Sequence, residues 1–175
     1  MAIFSAPVRL WLLPSVVLLA AQAIWGALRY PHLPDRIPWH IGSDSVDVWA
    51  DKSIGSAFML VFVYAGVTVV TAAGAEMTLR LTPRDELTAA DTPFAVRAAS
   101  SLTNRPASRA SARRIARAVL LLNACIGLSL LAGCGLFWRS RPDPDVPGWL
   151  VPAMLVPILA GTAVTIAAAV RDRKR

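Results

Sequence analysis

The sequence predicts an all-α fold, an integral membrane four-helix bundle with an ordered extracytoplasmic cap between its first and second helices. Three observations predict it. Four apolar runs are each long enough to cross a hydrocarbon core, which takes roughly 20 helical residues. The central turns of every run are free of charge, and the basic residues gather beside the runs. Of the 175 residues, 55% are hydrophobic and 17% charged, with mean hydropathy +0.53, against about 25% charged in a soluble domain. A net charge of +7 would suit nucleic acid in a soluble chain. Here the arginines and lysines flank apolar runs, where their work is to fix orientation in a lipid bilayer, and no nucleic-acid partner is expected.

The first run extends from about Leu10 to Leu28. Ala21-Gln22-Ala23 inside it resembles a signal-cleavage site, but the apolar run continues through Ile24, Trp25 and Leu28, so an uncleaved helix is expected. The second, from about Ala57 to Leu79, contains the only acid within a span. Glu76 lies near one end with Arg80 one turn on, and an i,i+4 ion pair at the membrane boundary is the expected role. The third runs from about Ile115 to Trp138. Its Asn123 should hydrogen-bond to another helix. Its two cysteines, Cys125 and Cys134, stand about 13.5 Å apart along a helix axis, too far for a mutual disulfide, and read as packing residues. The fourth, from about Trp149 to Val170, repeats small residues at Ala153, Pro157, Gly161, Thr165 and Ala169. With Ser129 and Gly133 on the third helix, that stripe predicts close backbone approach. Pro152 and Pro157 should each remove one helical hydrogen bond. Lipid offers the backbone no partners, so every run must be helical to satisfy its own amides.

Charge orients the bundle. With the N-terminus in the cytosol, Arg9, the eight arginines from Arg80 to Arg117 and the four basic residues of the tail lie inside, thirteen in all. Five, Arg29, Arg36, Lys52, Arg139 and Arg141, lie outside. The excess places both termini in the cytosol. Three regions follow: 1–80 with the cap, 81–114 as a basic cytosolic linker, and 115–175 as a helix pair with a basic tail. Within the linker, Thr82-Pro83-Arg84-Asp85-Glu86 has the composition of a helix start, with Thr82 as cap and Pro83 in the first position. The Ser-, Ala- and Arg-rich stretch around Ser100 to Ser111 reads as a mobile connection. Arg109, Arg113, Arg114 and Arg117 then enter the third helix as a positive anchor beside anionic headgroups, with docking of a cytosolic regulator as the sharper alternative.

The distinctive segment is Tyr30 to Ser53. Pro31, Pro34 and Pro38 hold the chain extended, since each fixes its own φ and biases the preceding residue away from helix. Gly42 to Ser45 has turn chemistry. Ile37, Trp39 and Trp49 suit a segment lying on the membrane surface or covering the bundle. His40 is the candidate switch or contact residue, either locked to Asp44 or Asp47 or presented to a ligand. Metal binding through His32 and His40 lacks regular ligand spacing, and no metal or cofactor is expected.

Tyr30-Pro31, Leu33-Pro34, Arg36-Ile37-Pro38 and His40, followed by Asp47, Trp49 and Lys52, resemble the signature of domain-of-unknown-function family 1648 (DUF1648). In that family a YPxLPxxIPxH segment follows the first helix, and a turn leads to a lysine at the head of the second. The resemblance covers roughly residues 10 to 80. Among relatives are the Sdp-type immunity proteins of Gram-positive bacteria, which protect a cell from a secreted toxic peptide and which carry more spans after this segment than the present chain does. The resemblance implies a multi-pass protein of a bacterial plasma membrane. Its ligand contacts would be Trp39, His40, Asp47, Trp49 and Lys52, on a framework of Pro31, Leu33, Pro34, Arg36, Ile37 and Pro38.

No GxSxG, HExxH or phosphate-cradling glycine loop is present, so catalysis is not expected. The expected function is binding or sequestering an envelope-active ligand, a toxic peptide being the first candidate, through the outer cap. The alternative is an accessory subunit that packs against a membrane protein such as a transporter, or that holds a cytosolic regulator through its arginine-rich loop. A small channel or transporter is a third class, disfavoured because no charge lies deep within the spans.

Overall fold

A computed structural model describes residues 5–41, 46–87, 105–138 and 147–173. Four long helices are joined by shorter elements. Helix α1 spans Ala6–Arg29 and runs into a single 3-10 turn, Tyr30–His32. Strands β1 (Arg36–Ile41) and β2 (Val46–Asp51) follow as an antiparallel pair. A four-residue helix α2 (Ile54–Ala57) leads through Phe58 into α3 (Met59–Arg80). A 3-10 turn at Arg84–Glu86 precedes α4 (Arg109–Phe137) and α5 (Leu150–Arg173). Among the described residues, four helices are long and apolar enough to cross a membrane, and the chain is a multi-pass membrane protein.

Helix α4 is the centre of the bundle and the most buried of the four. It packs against α1, α3 and α5, while α5 has its extensive packing with α4 alone. Matching contacts give the directions. Val8 packs with Ala116 and Leu120, and Trp25 meets Trp138 further along, so α1 and α4 are parallel. Thr68 meets Asn123 and Ala57 meets Trp138, so α3 runs against them. Helix α5 is also antiparallel to α4: Ser129 Oγ donates to the Met154 carbonyl at 2.6 Å, and Thr165 Oγ1 to the Ala118 carbonyl at 3.3 Å. Between those two points, a Cβ on Gly161 would stand 3.0 Å from the Leu122 Cα. The small-residue stripe therefore works as expected at Gly161 and Thr165, while Ala169 is exposed. Pro152 departs from expectation. It falls in the first turn of α5, where amides have no intrahelical acceptor to lose, so only Pro157 interrupts the ladder.

The arginine-rich end is tied by three carboxylates. Glu76 accepts from Arg80 Nε at 2.9 Å, as its spacing predicts. It also accepts from both the backbone nitrogen and Oγ of Ser5, at 3.0 Å each. An anion thus caps the positive end of the α1 dipole, a role hidden from sequence by the 71-residue separation. Asp172, buried near the end of α5, accepts from the Ala107 amide at 2.9 Å and lies 3.7 Å from Arg84. Glu86 takes the Arg109 guanidinium through Nε at 2.9 Å and Nη2 at 2.8 Å.

The linker departs from expectation at both of its ends. The amides of Arg84 and Asp85 donate to the carbonyls of Pro106 and Ala107. The expected helix start is therefore a single 3-10 turn, preceded by Pro83 in extended conformation. The far part of the supposed mobile stretch is already held, with Ser108 capping α4 through the Ser111 amide at 3.2 Å. Helix α4 consequently begins six residues ahead of the apolar run, because Ser108 and not hydrophobicity marks its start. Residues 88–104 lie outside the described residues.

Glu76→Gln is expected to cost about 1–2 kcal/mol and to speed deuterium exchange in the first turn of α1. Arg80→Gln should do less, since it leaves the Ser5 bonds intact. Equal effects from both variants would refute the capping role.

Candidate functional site

The segment between α1 and α3 is a β-hairpin mounted on one end of the bundle. Its prolines predict an extended chain, while the strand pairing depends on a register that they do not set. Arg36 faces Asp51, Ile37 faces Ala50 and Pro38 faces Trp49, and the ladder then becomes irregular twice. His40 is opposite Val48 and Ile41 opposite Val46, which leaves Trp39 as an extra residue on β1 and Asp47 as an extra residue on β2. Bulges of this kind bend a strand and re-aim side chains. Two of the five residues expected to contact ligand therefore occupy the two irregular positions. The side chains of residues 38–41, 46 and 47 lie outside the described residues, as does the 42–45 turn, and with them the pairing expected of His40 with Asp44 or Asp47.

Leu33 and Ile37 are buried against Ala57, Val61, Cys134 and Trp138. Trp138 is the hub. It is 2% exposed, its Nε1 donates to the Ala57 carbonyl at 2.9 Å, and its ring meets Trp25 edge-on at 5.4 Å and Phe58 at 6.1 Å. Gly26 makes room for it, since a Cβ there would stand 2.7 Å from both Phe58 and Trp138. Trp138, at the end of the third apolar run, is thus a core residue.

Lys52 is a clamp. Its Nζ donates to the Leu33 carbonyl at 2.8 Å and stands 5.2 Å from the Tyr30 ring centroid, while its amide donates to Asp35 at 2.7 Å. A lysine at the head of α2 thus holds the start of the hairpin to the end of α1. Ser53 and Ser56 form a reciprocal capping box beside it. Trp49 is half-buried, Arg36 and Pro31 are exposed, and Pro34 is partly covered.

Beneath the hairpin, polar groups meet inside the bundle. Asn123 Nδ2 donates to Thr68 Oγ1 at 3.1 Å, as an intramembrane asparagine should. Gln22 Nε2 donates to the Gly127 carbonyl at 2.8 Å. The Tyr64 phenol is fully buried against Gly127, where a Cβ would overlap it, and lies beside Ser15 and Thr68. Sequence reasoning missed Ser15, Gln22 and Tyr64. The available signal was a polar side chain in each of two apolar runs, facing the bundle by default in lipid. Gln22 is the centre of the Ala-Gln-Ala stretch that mimics a cleavage site.

Residues 17–64 match the family model described as Domain of unknown function (DUF1648). The chain carries a DUF1648 domain. The match begins midway along α1, takes in the whole hairpin and ends at Tyr64, a narrower region than the 10 to 80 suggested by the motif. Within the DUF1648 segment lie Gln22, Gly26, Lys52 and Phe58, so it contains much of the hairpin's mounting as well as the hairpin. No curated protein and no solved structure matches the chain.

Proposed function

We propose that the protein is a non-catalytic receptor or immunity protein of the cell membrane that binds an extended, envelope-active peptide through its hairpin. In this reading the hairpin faces outward and both termini are cytosolic, in line with the distribution of lysine and arginine. The observation that carries it is the hairpin itself. A two-stranded sheet has one edge on each strand without a strand partner among the described residues, and such edges accept an incoming extended chain through main-chain hydrogen bonds. An isolated hairpin is only marginally stable in water, so a mounting that fixes it against the bundle supplies the preorganisation that binding needs. The bulges at Trp39 and Asp47 give such a peptide non-uniform positions to read. The resemblance to Sdp-type immunity proteins points the same way.

Photocrosslinking in living cells tests it, with the probe at position 39 and a control probe at Val17, which is 58% exposed on α1. A discrete peptide adduct at 39 that vanishes in His40→Ala is the expected result. Lipid adducts alone at both positions would refute the proposal and make the hairpin a structural cap.

A further inference from the structure

The opposite end of the molecule holds a cleft that has no part in the hairpin. It has a volume of about 620 Å³ and is bordered by Arg113, Arg114 and Arg117 of α4, Arg171 of α5 and Trp11 of α1. That volume falls in the ~300–1,000 Å³ range of ligand sites. The Arg117 guanidinium lies 5.8 Å from the Trp11 ring centroid. Among the described residues, the ion pairs join other groups, and none involves these four arginines. The adjacent acid, Asp172, is turned to Arg84 and the Ala107 amide. Four positive charges from two helices therefore converge without an ion pair to any carboxylate among the described residues.

The cleft changes character with depth. Leu121 on α4 and Val164 on α5 line its other end. Leu121 is one turn beyond Arg117, about 6 Å along the axis, and Val164 two turns beyond Arg171, about 10 Å. Since α4 and α5 are antiparallel, both displacements run from the arginine-rich end toward the middle of the spans. The result is a groove that is cationic where the bilayer is polar and apolar where the bilayer is hydrocarbon. A soluble phosphate would use only the first half. A phospholipid has the same polarity along its length.

We propose that this cleft is a binding site for an anionic phospholipid, with its phosphate on Arg113, Arg114, Arg117 and Arg171 and an acyl chain along the α4–α5 groove. Simple positive-inside anchoring needs charge beside a span. It does not need arginines of two helices and a tryptophan of a third around one concave, apolar-walled site, which is the geometry of headgroup pockets between membrane helices. Helix α5 has its extensive packing with α4 alone, so a lipid seated between them would bridge the least supported helix to the centre of the bundle.

The test is native mass spectrometry of the full chain in non-ionic detergent, titrated with phosphatidylglycerol, phosphatidylcholine or inorganic phosphate. Phosphatidylglycerol is expected to be retained at least tenfold more tightly than phosphatidylcholine. Arg114→Gln with Arg117→Gln should weaken it about 30-fold, whereas Arg29→Gln with Arg36→Gln, an equal charge change at the hairpin end, should leave it unaltered. Ala167→Trp, at an exposed position of the cleft, keeps every charge and should also displace the lipid. Equal retention of the two phospholipids, or equal loss from the two double variants, would overturn the proposal. Phosphate binding as tight as phosphatidylglycerol, unaffected by Ala167→Trp, would overturn the lipid assignment.

Discussion

Trp138→Ala is expected to be the most destabilising single substitution at the hairpin end and to release the hairpin from the bundle. The indole touches α1 through Trp25 and α2–α3 through Phe58, and bonds the Ala57 carbonyl. It shares a buried cluster with Leu33 and Ile37, the two residues that seat the hairpin. Removing a buried aromatic of this size costs about 3–5 kcal/mol. Ala57 immediately precedes the break at Phe58, so its carbonyl would also lose the indole donor. Trp138→Phe separates the two contributions. It keeps most of the ring packing and loses the donor, for about 1–3 kcal/mol. Thermal unfolding in detergent gives the order of the two variants, and limited proteolysis between residues 30 and 53 reads release of the hairpin. A Trp138→Ala protein whose hairpin stays as protease-resistant as the parent would show that the mounting lies elsewhere, with Lys52 as the next residue to vary.

The second large effect is expected from the smallest change, Gly127→Ala. Gly127 is where α4 meets α1 and α3 at once: its carbonyl accepts from Gln22, and its Cα faces the Tyr64 phenol. A methyl group there would overlap the ring. Tyr64 is fully buried and on a packed helix, so relief requires α3 to move outward. Overpacking of this kind costs about 1–3 kcal/mol, with the Gln22 bond at risk as well. Gly66→Ala and Gly74→Ala are the controls, since nothing lies within 4 Å of an added Cβ at either position. Both should fall within about 0.5 kcal/mol of the parent or be slightly stabilising through helix propensity. If Gly127→Ala unfolds at the same temperature as the two controls, the close approach of α3 and α4 is wrong.

Much of the architecture was legible in the residues because lipid imposes strong local rules. Run length and hydropathy located the four spans, since a backbone in hydrocarbon has no alternative to the helix. Glu76 and Arg80 are one turn apart, and helical spacing alone brings them together. Asn123 had to find an interhelical partner, and only the partner's identity was open. Gly161 and Thr165 announced a close helix pair by their size.

The candidate site was legible as a segment but not as a structure. Its motif located residues 30–53, and the proline spacing implied extended chain. The strands, their register and the bulges at Trp39 and Asp47 depend on which residues of 36–41 meet which of 46–51, and three prolines and a turn do not determine that. Lys52 closes the motif, which gives no sign of what it holds within the chain. Its contacts with Leu33 and Tyr30 make it a clamp, a role that appears only when the end of α1 and the head of α2 are brought side by side.

By itself, then, the sequence determined that this chain crosses the membrane four times as helices, where each crossing lies and which segment departs from that pattern. Those properties follow from the free energy of burying backbone and side chains in lipid, which local composition decides. Only the tertiary structure decided that α4 is the central helix, that Trp138 carries the hairpin, that Glu76 caps α1 and that four arginines enclose a cleft. Each of those rests on pairs of residues far apart in the chain, and their energies exist only once the helices have taken their neighbours.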